Sequence, residues 1–147
     1  MGIQILEKGN SKIPAGIKAV LKVGFFDGKY QNGASIPSVA FWNEYGTFSK
    51  LNNPHIPPRP FMRNVTDDKS KMERLAQIAK IELEKGAEGE AIANTMGEVL
   101  VTMIKQSIQT GKFEANAPST IAKKGSSRPL IDTGLLIGSV DFKVEKK

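Results

Sequence analysis

The sequence predicts an α+β domain: a small, mainly antiparallel sheet packed against two long helices, with a long Pro-rich loop. Three observations predict it. Short β-rich runs lie near both ends of the chain, around residues 3–5, 19–26 and 140–144. Two stretches of apolar residues at helical spacing occupy much of residues 61–110. Ahead of them, residues 47–60 hold four prolines and two adjacent asparagines, a composition that predicts an extended excursion without regular structure.

Taken in order, Ile3, Gln4 and Ile5 alternate as a short strand would. Residues 19–26, AVLKVGFF, are rich in β-formers and stop at Asp27-Gly28, a turn signal. Residues 31–35 are polar and glycine-bearing, as a loop is. Next, Val39, Trp42 and Tyr45 fall three apart with Phe41 beside them. That spacing predicts a short helix capped by Ser38 and stopped by Gly46, with its large aromatics in the core. A platform on which bases stack is the competing reading of the same aromatics. Residues 28–60 as a whole are expected to form an extended loop region containing this helix.

A helix launched near Phe61 follows. Met72, Leu75, Ala76, Ala79 and Leu83 form its apolar stripe, Asp67, Asp68, Lys71, Glu73, Arg74 and Lys80 its polar face, and Gly86 its end. Ile92, Met96, Val99, Leu100, Met103, Ile104 and Ile108 give the second helix a wide apolar face, closed at Gly111. Two such stripes cannot bury themselves on each other alone, so they need a sheet or a partner. Pro118 suits the first turn of a short helix and Gly125 its end. Asp132 suits the cap of another, over residues 135–139, and residues 140–144 alternate strictly, as a half-buried strand does.

The 147 residues fit one domain spanning residues 1–147. The absence of cysteine excludes disulfides and thiolate metal sites, and a single histidine, His55, excludes any His-pair metal site and weakens every Ser-His scheme. No cofactor or metal is expected. The start MGIQILEKGNSK lacks a basic region followed by an apolar run, and no apolar run approaches the ~20 residues of a membrane span. The chain is therefore expected to be made in a cytoplasm, with no membrane partner.

The net charge of +6 sits toward the ends. Residues 1–60 carry seven Lys/Arg against three Asp/Glu, residues 61–110 seven against eight, and residues 111–147 seven against four. Such placement suits DNA or an acidic protein surface, and equally a solvated surface rich in lysine.

No motif supports catalysis. Asp132-Thr133-Gly134 matches an aspartic-protease triplet, but only 13 residues follow it, where that chemistry needs most of a β-barrel half. A helix cap is the better reading. Glu44 has no second titratable group near it in sequence and reads as an ion-pair or capping residue. Lys123, Lys124 and Arg128 flank Gly125-Ser126-Ser127. That segment has no GKS/T sequence, so a nucleotide-binding loop is excluded; a solvated hinge or weak phosphate contact remains. The arm IPPRPFMR, residues 56–63, is the best interaction candidate. Its prolines lower the entropy lost on docking, and Arg59 and Arg63, flanking Pro60, can pair with carboxylates on a neighbour. A stiff linker that launches the next helix is the alternative.

Three blocks now coincide in order and spacing: VAFWNEYGT at 39–47, IPPRPFMR at 56–63 and PSTIAKKGSSRPLIDTGLL at 118–136. Together they resemble the tail-completion and minor tail-component family of tailed bacteriophages and prophages, some of whose members are labelled neck or virion morphogenesis proteins. The resemblance spans roughly residues 18–145. It implies a small α+β domain with a structural, non-enzymatic role where the tail tube meets the head connector. It further implies a ring of copies, commonly six, around the DNA channel, located in the virion after assembly in the bacterial cytoplasm. The implied partners are the chain itself, tail-tube and head-connector proteins, and, non-specifically, genomic DNA. Glu44, Tyr45, Arg59, Pro60, Arg63, Lys123, Lys124 and Arg128 are the expected subunit or tube contacts. Such families often carry a basic or polar residue after the Asp-Thr-Gly glycine, where this chain has Leu135-Leu136. A tail terminator of the same assembly and a DNA-binding accessory protein are the alternatives.

Overall fold

The computed structural model describes residues 2–5, 19–48, 54–113 and 134–146. Its first layer is a three-stranded antiparallel sheet made from the two ends of the chain. β1 (Gly2–Ile5) and β5 (Asp141–Lys146) flank β2 (Ala19–Gly24). Ile3 lies opposite Val23 in one ladder, and Val23 lies opposite Phe142 in the other. The strand expected over 19–26 ends two residues early, although Phe25 just beyond it is still buried. Lys22 and Lys143 are directly opposed across the β2–β5 ladder. Like charges so placed repel, and each is diverted. Lys22 Nζ bonds Glu145 Oε1 at 2.7 Å, and Lys143 Nζ lies 4.4 Å from the Phe26 ring centroid.

From the turn at residues 30–34, α1 (Ile36–Tyr45) starts three residues before the expected Val39-led segment. Its cap is Ser35 rather than Ser38, with Ser35 Oγ accepting from the Ser38 N–H at 3.4 Å. The excursion at 47–60 is not free of regular structure. β3 (Thr47–Phe48) and β4 (Pro54–Ile56), which contains His55, form a two-stranded antiparallel ribbon.

The expected helix near Phe61 is two helices. α2 (Arg63–Thr66) ends in one turn. Asp68 then caps α3 (Lys69–Glu84), its Oδ1 accepting from the Lys71 N–H at 3.1 Å. Asp68 was expected on the polar face, and a short polar side chain two residues after Thr66 instead supplies a break and a new start. At the far end the Gly86 N–H donates to Leu83 O and the Ala87 N–H to Glu82 O, the paired bonds that close a helix. Along α3 only Leu75 is fully buried, and Ala76 is exposed.

α4 (Gly89–Thr110) is the spine of the molecule. Leu100, Met103, Ile104 and Ile108 are buried as their spacing predicts, whereas Ala93 and Gly97 replace Ile92 and Met96 as the deepest residues of its first turns. Close approach to the sheet explains the shift. A Cβ on Gly97 would lie 2.3 Å from the Phe142 ring of β5, so only glycine lets helix and strand meet here. α4 packs on β2, β5 and α3, while α3 packs mainly on α4. The sheet is thus backed by one helix directly and by the second through the first. α5 (Leu135–Gly138) buries Leu136 and leaves Leu135 exposed, so the apolar pair after Gly134 splits between core and surface. The last strand runs two residues further than expected, to Lys146, whose Nζ bonds Glu90 Oε2 of α4 at 2.7 Å. The short helix expected over 118–125 and the cap expected at Asp132 lie outside the described residues.

Candidate functional site

The aromatics of α1 are not in the core. Phe41 is 50% exposed, Trp42 43% and Tyr45 46%, against the burial their spacing suggested. The buried residues of α1 are Ile36, Ala40 and Glu44, spaced four apart along the opposite face. The helix is inverted: a carboxylate points inward and three large rings point outward.

Burying a carboxylate is costly unless it is fully hydrogen-bonded. Glu44, with no exposed surface, meets that condition through residues 18 and 19 positions further on. Its Oε2 accepts from the Met62 N–H at 2.9 Å. Its Oε1 accepts from the Arg63 N–H at 3.0 Å and from Arg63 Nε at 2.9 Å. Both amides open α2, so Glu44 caps a helix from outside it, where an anion is favoured. Arg63 answers by donating from Nη2 to the Glu44 backbone oxygen at 2.8 Å and lies 4.8 Å from the centre of the Tyr45 ring.

A second set of bonds lies one residue away. Asn43 Oδ1 accepts from Arg59 Nη1 at 2.8 Å, Asn43 O accepts from the Arg59 N–H, and Asn43 Nδ2 donates to Val39 O at 2.9 Å. Arg59 is only 5% exposed. Between these sets Phe61 enters the core and meets Phe25 edge-on at 5.9 Å. The arm needs room beside the helix end, and Gly46 provides it. Its φ is +76°, and a Cβ there would sit 2.8 Å from Ile56 O and 3.0 Å from Pro58 N.

The first two sequence blocks are therefore one unit. Glu44, Tyr45, Arg59, Pro60 and Arg63 come together, and Pro60 and Arg63 also line a shallow groove with Asn64, Asp67 and Asp68. Residues 59–63 are clasped to α1 as a launching linker, and the expected pairing of Arg63 with a carboxylate is made inside the chain, to Glu44. Lys123, Lys124 and Arg128 lie outside the described residues. Sequence reasoning missed Asn43, whose signal was a polar pair, Asn43-Glu44, within an otherwise apolar helix. The Lys71 ammonium, and after it the Lys71 N–H that Asp68 caps, hold the Asp68 carboxyl below its usual range, and the Glu90 bond holds the Lys146 ammonium above its own.

Both Glu44 oxygens are engaged by N–H donors within the clasp. Among the described residues no cluster of His, Asp or Glu is placed to hold a metal ion, and no helix is long and apolar enough to cross a membrane. No family model, curated protein or solved structure matches this chain.

Proposed function

We propose that this chain is a structural protein of a bacteriophage or prophage particle. It completes the tail or joins it to the head connector as a ring of copies, without catalysis. The single observation that carries the reading is the joining of the blocks at 39–47 and 56–63. Residues from two of the three blocks on which the resemblance rests form a clasp at the end of the helix that carries three exposed aromatic rings. Such a unit arranges surface rather than reacting groups, as an assembly protein requires. Exposed aromatics beside an arginine are the residue types that anchor protein–protein contacts. Basic end segments, by their charge, suit an acidic tube surface or the DNA that passes through it.

Deleting the coding sequence from an inducible prophage and viewing the lysate by electron microscopy tests this. Filled heads beside separate tails of normal length agree with the reading. Intact particles contradict it, and tails of abnormal length assign the chain to tail termination instead.

A further inference from the structure

The loop between β2 and α1 reads Lys29-Tyr30-Gln31-Asn32-Gly33-Ala34-Ser35. A bridge between Lys29 and Ser35 closes it, and the Tyr30 N–H donates to Ala34 O at 2.9 Å. Asn32 and Gly33, at its tip, are both exposed. Of all the asparagines in the chain, Asn32 alone precedes a glycine. We propose that Asn32-Gly33 is a self-modification site, at which the folded chain deamidates through a succinimide and acquires an aspartyl or isoaspartyl residue.

The reaction needs only the chain and water. The Gly33 nitrogen gives its proton to solvent base and attacks Asn32 Cγ. A bond forms between that nitrogen and Cγ, the Cγ–Nδ2 bond breaks, and Nδ2 takes a proton from solvent and leaves as ammonia. Water then opens the ring at one of its carbonyls, with no change of oxidation state. Opening at Cγ gives aspartate. Opening at the main-chain carbonyl gives isoaspartate, with the main chain rerouted through the side chain.

The loop supplies both reacting partners. Asn32 Oδ1 accepts from the Ala34 N–H at 3.0 Å, a bond that carries the side chain across the Gly33 peptide. The same N–H draws charge from the carbonyl carbon and stabilises the oxyanion that forms on attack. The Gly33 nitrogen is unobstructed, since apart from its chain neighbours no atom lies within 4 Å of where a Gly33 Cβ would stand. The Gly33 N–H donates to Tyr30 O at 2.9 Å, so that bond must break first, and at an exposed loop tip such local opening costs little. Other described sites lack this combination. Asn43 and Asn94 donate from Nδ2 to helical carbonyls, and Asn64 lies in α2 ahead of the branched Val65. Asp27-Gly28 has the same backbone, but a carboxylate is a poorer electrophile than an amide, and a Cβ on Gly28 would stand 2.8 Å from Ile36 Cδ1. The product adds a negative charge to the loop and, as isoaspartate, disturbs the closure that delivers Ser35 to the cap of α1. The inference does not rest on the particle role.

Incubating the full folded chain at mildly alkaline pH tests it, with peptide mapping by mass spectrometry and enzymatic methylation of isoaspartate as readouts. Conversion at Asn32 is expected ahead of every other asparagine, with ammonia released. Asn32→Gln closes a larger ring and is expected to abolish the isoaspartyl signal of this peptide, and Gly33→Ala to slow its appearance severalfold. Both change exposed residues, and circular dichroism checks their fold first. Conversion only in a chain unfolded by urea overturns the proposal. So does an Asn32 peptide left unchanged when other asparagines have converted. Isoaspartate that persists in Asn32→Gln also overturns it, in favour of Asp27-Gly28. If a variant fails to fold, mapping of the wild type, folded against unfolded, decides alone.

Discussion

Glu44 is where local sequence and three-dimensional arrangement differ most. Read along the chain, it is a charged residue among aromatics and belongs on the surface. In the fold it is the group that the start of α2 requires, because the Met62 and Arg63 amides have no helical acceptor. Glu44→Gln keeps the shape but turns an amide NH₂ toward N–H donors. It should lower unfolding stability by about 2 kcal/mol, read as a fall in the urea midpoint at unchanged slope. An unchanged midpoint would mean that the clasp contributes nothing. Arg63→Lys should also lower stability, since lysine cannot reproduce the two-sided bonding to Glu44 or lie flat on Tyr45. Asp68 supplies a pH test. Its carboxyl is held below the ordinary 3.8, chiefly by its bond to the Lys71 side chain, so the unfolded chain takes up the proton first as pH falls. The stability from this group is present above 3.8 and is lost as pH falls through the lower folded value. Asp68→Asn retains a capping acceptor without the charge. The variant should therefore show a shallower loss of stability below pH 3.8 than the wild type in acid denaturation, and an equal loss would remove the assigned linkage.

At the scale of elements, the contact of α4 with β5 turns on one missing methyl group. Gly97→Ala sets a Cβ against the edge of the Phe142 ring, closer than van der Waals contact allows, and should cost about 1–3 kcal/mol. Phe142→Leu in the same chain should recover part of that loss, a coupling that a double-mutant cycle measures. Additive losses would show that the two do not share the contact. Much of this architecture was legible beforehand. The stripe of α4 announced itself because Leu100, Met103, Ile104 and Ile108 repeat at helical period over a long run, and β5 alternates because one face meets α4 while the other meets water. What escaped did so for physical reasons. The β3–β4 ribbon is two and three residues long, too short to show a period. The break before α3 depends on a single cap at Asp68 inside a continuous helical pattern. The inward face of α1 depends on donors 18 residues away, which no local pattern reveals. Local spacing therefore predicts the aromatics in the core, whereas their exposure makes the helix a surface element.

For the whole molecule, the arrangement separates support from contact. The sheet and α4 hold the frame, the clasp ties the arm to α1, and the aromatic face is exposed, with Arg63 of the clasp against Tyr45. Under the proposed role, this face joins the chain to other proteins of a particle. Complementing a deleted prophage with the Trp42→Arg chain, first shown to fold as the wild type does, tests it most directly. Electron microscopy of the lysate should show filled heads beside detached tails of normal length, as for the deletion itself. Intact, infectious particles from that complementation would contradict the account.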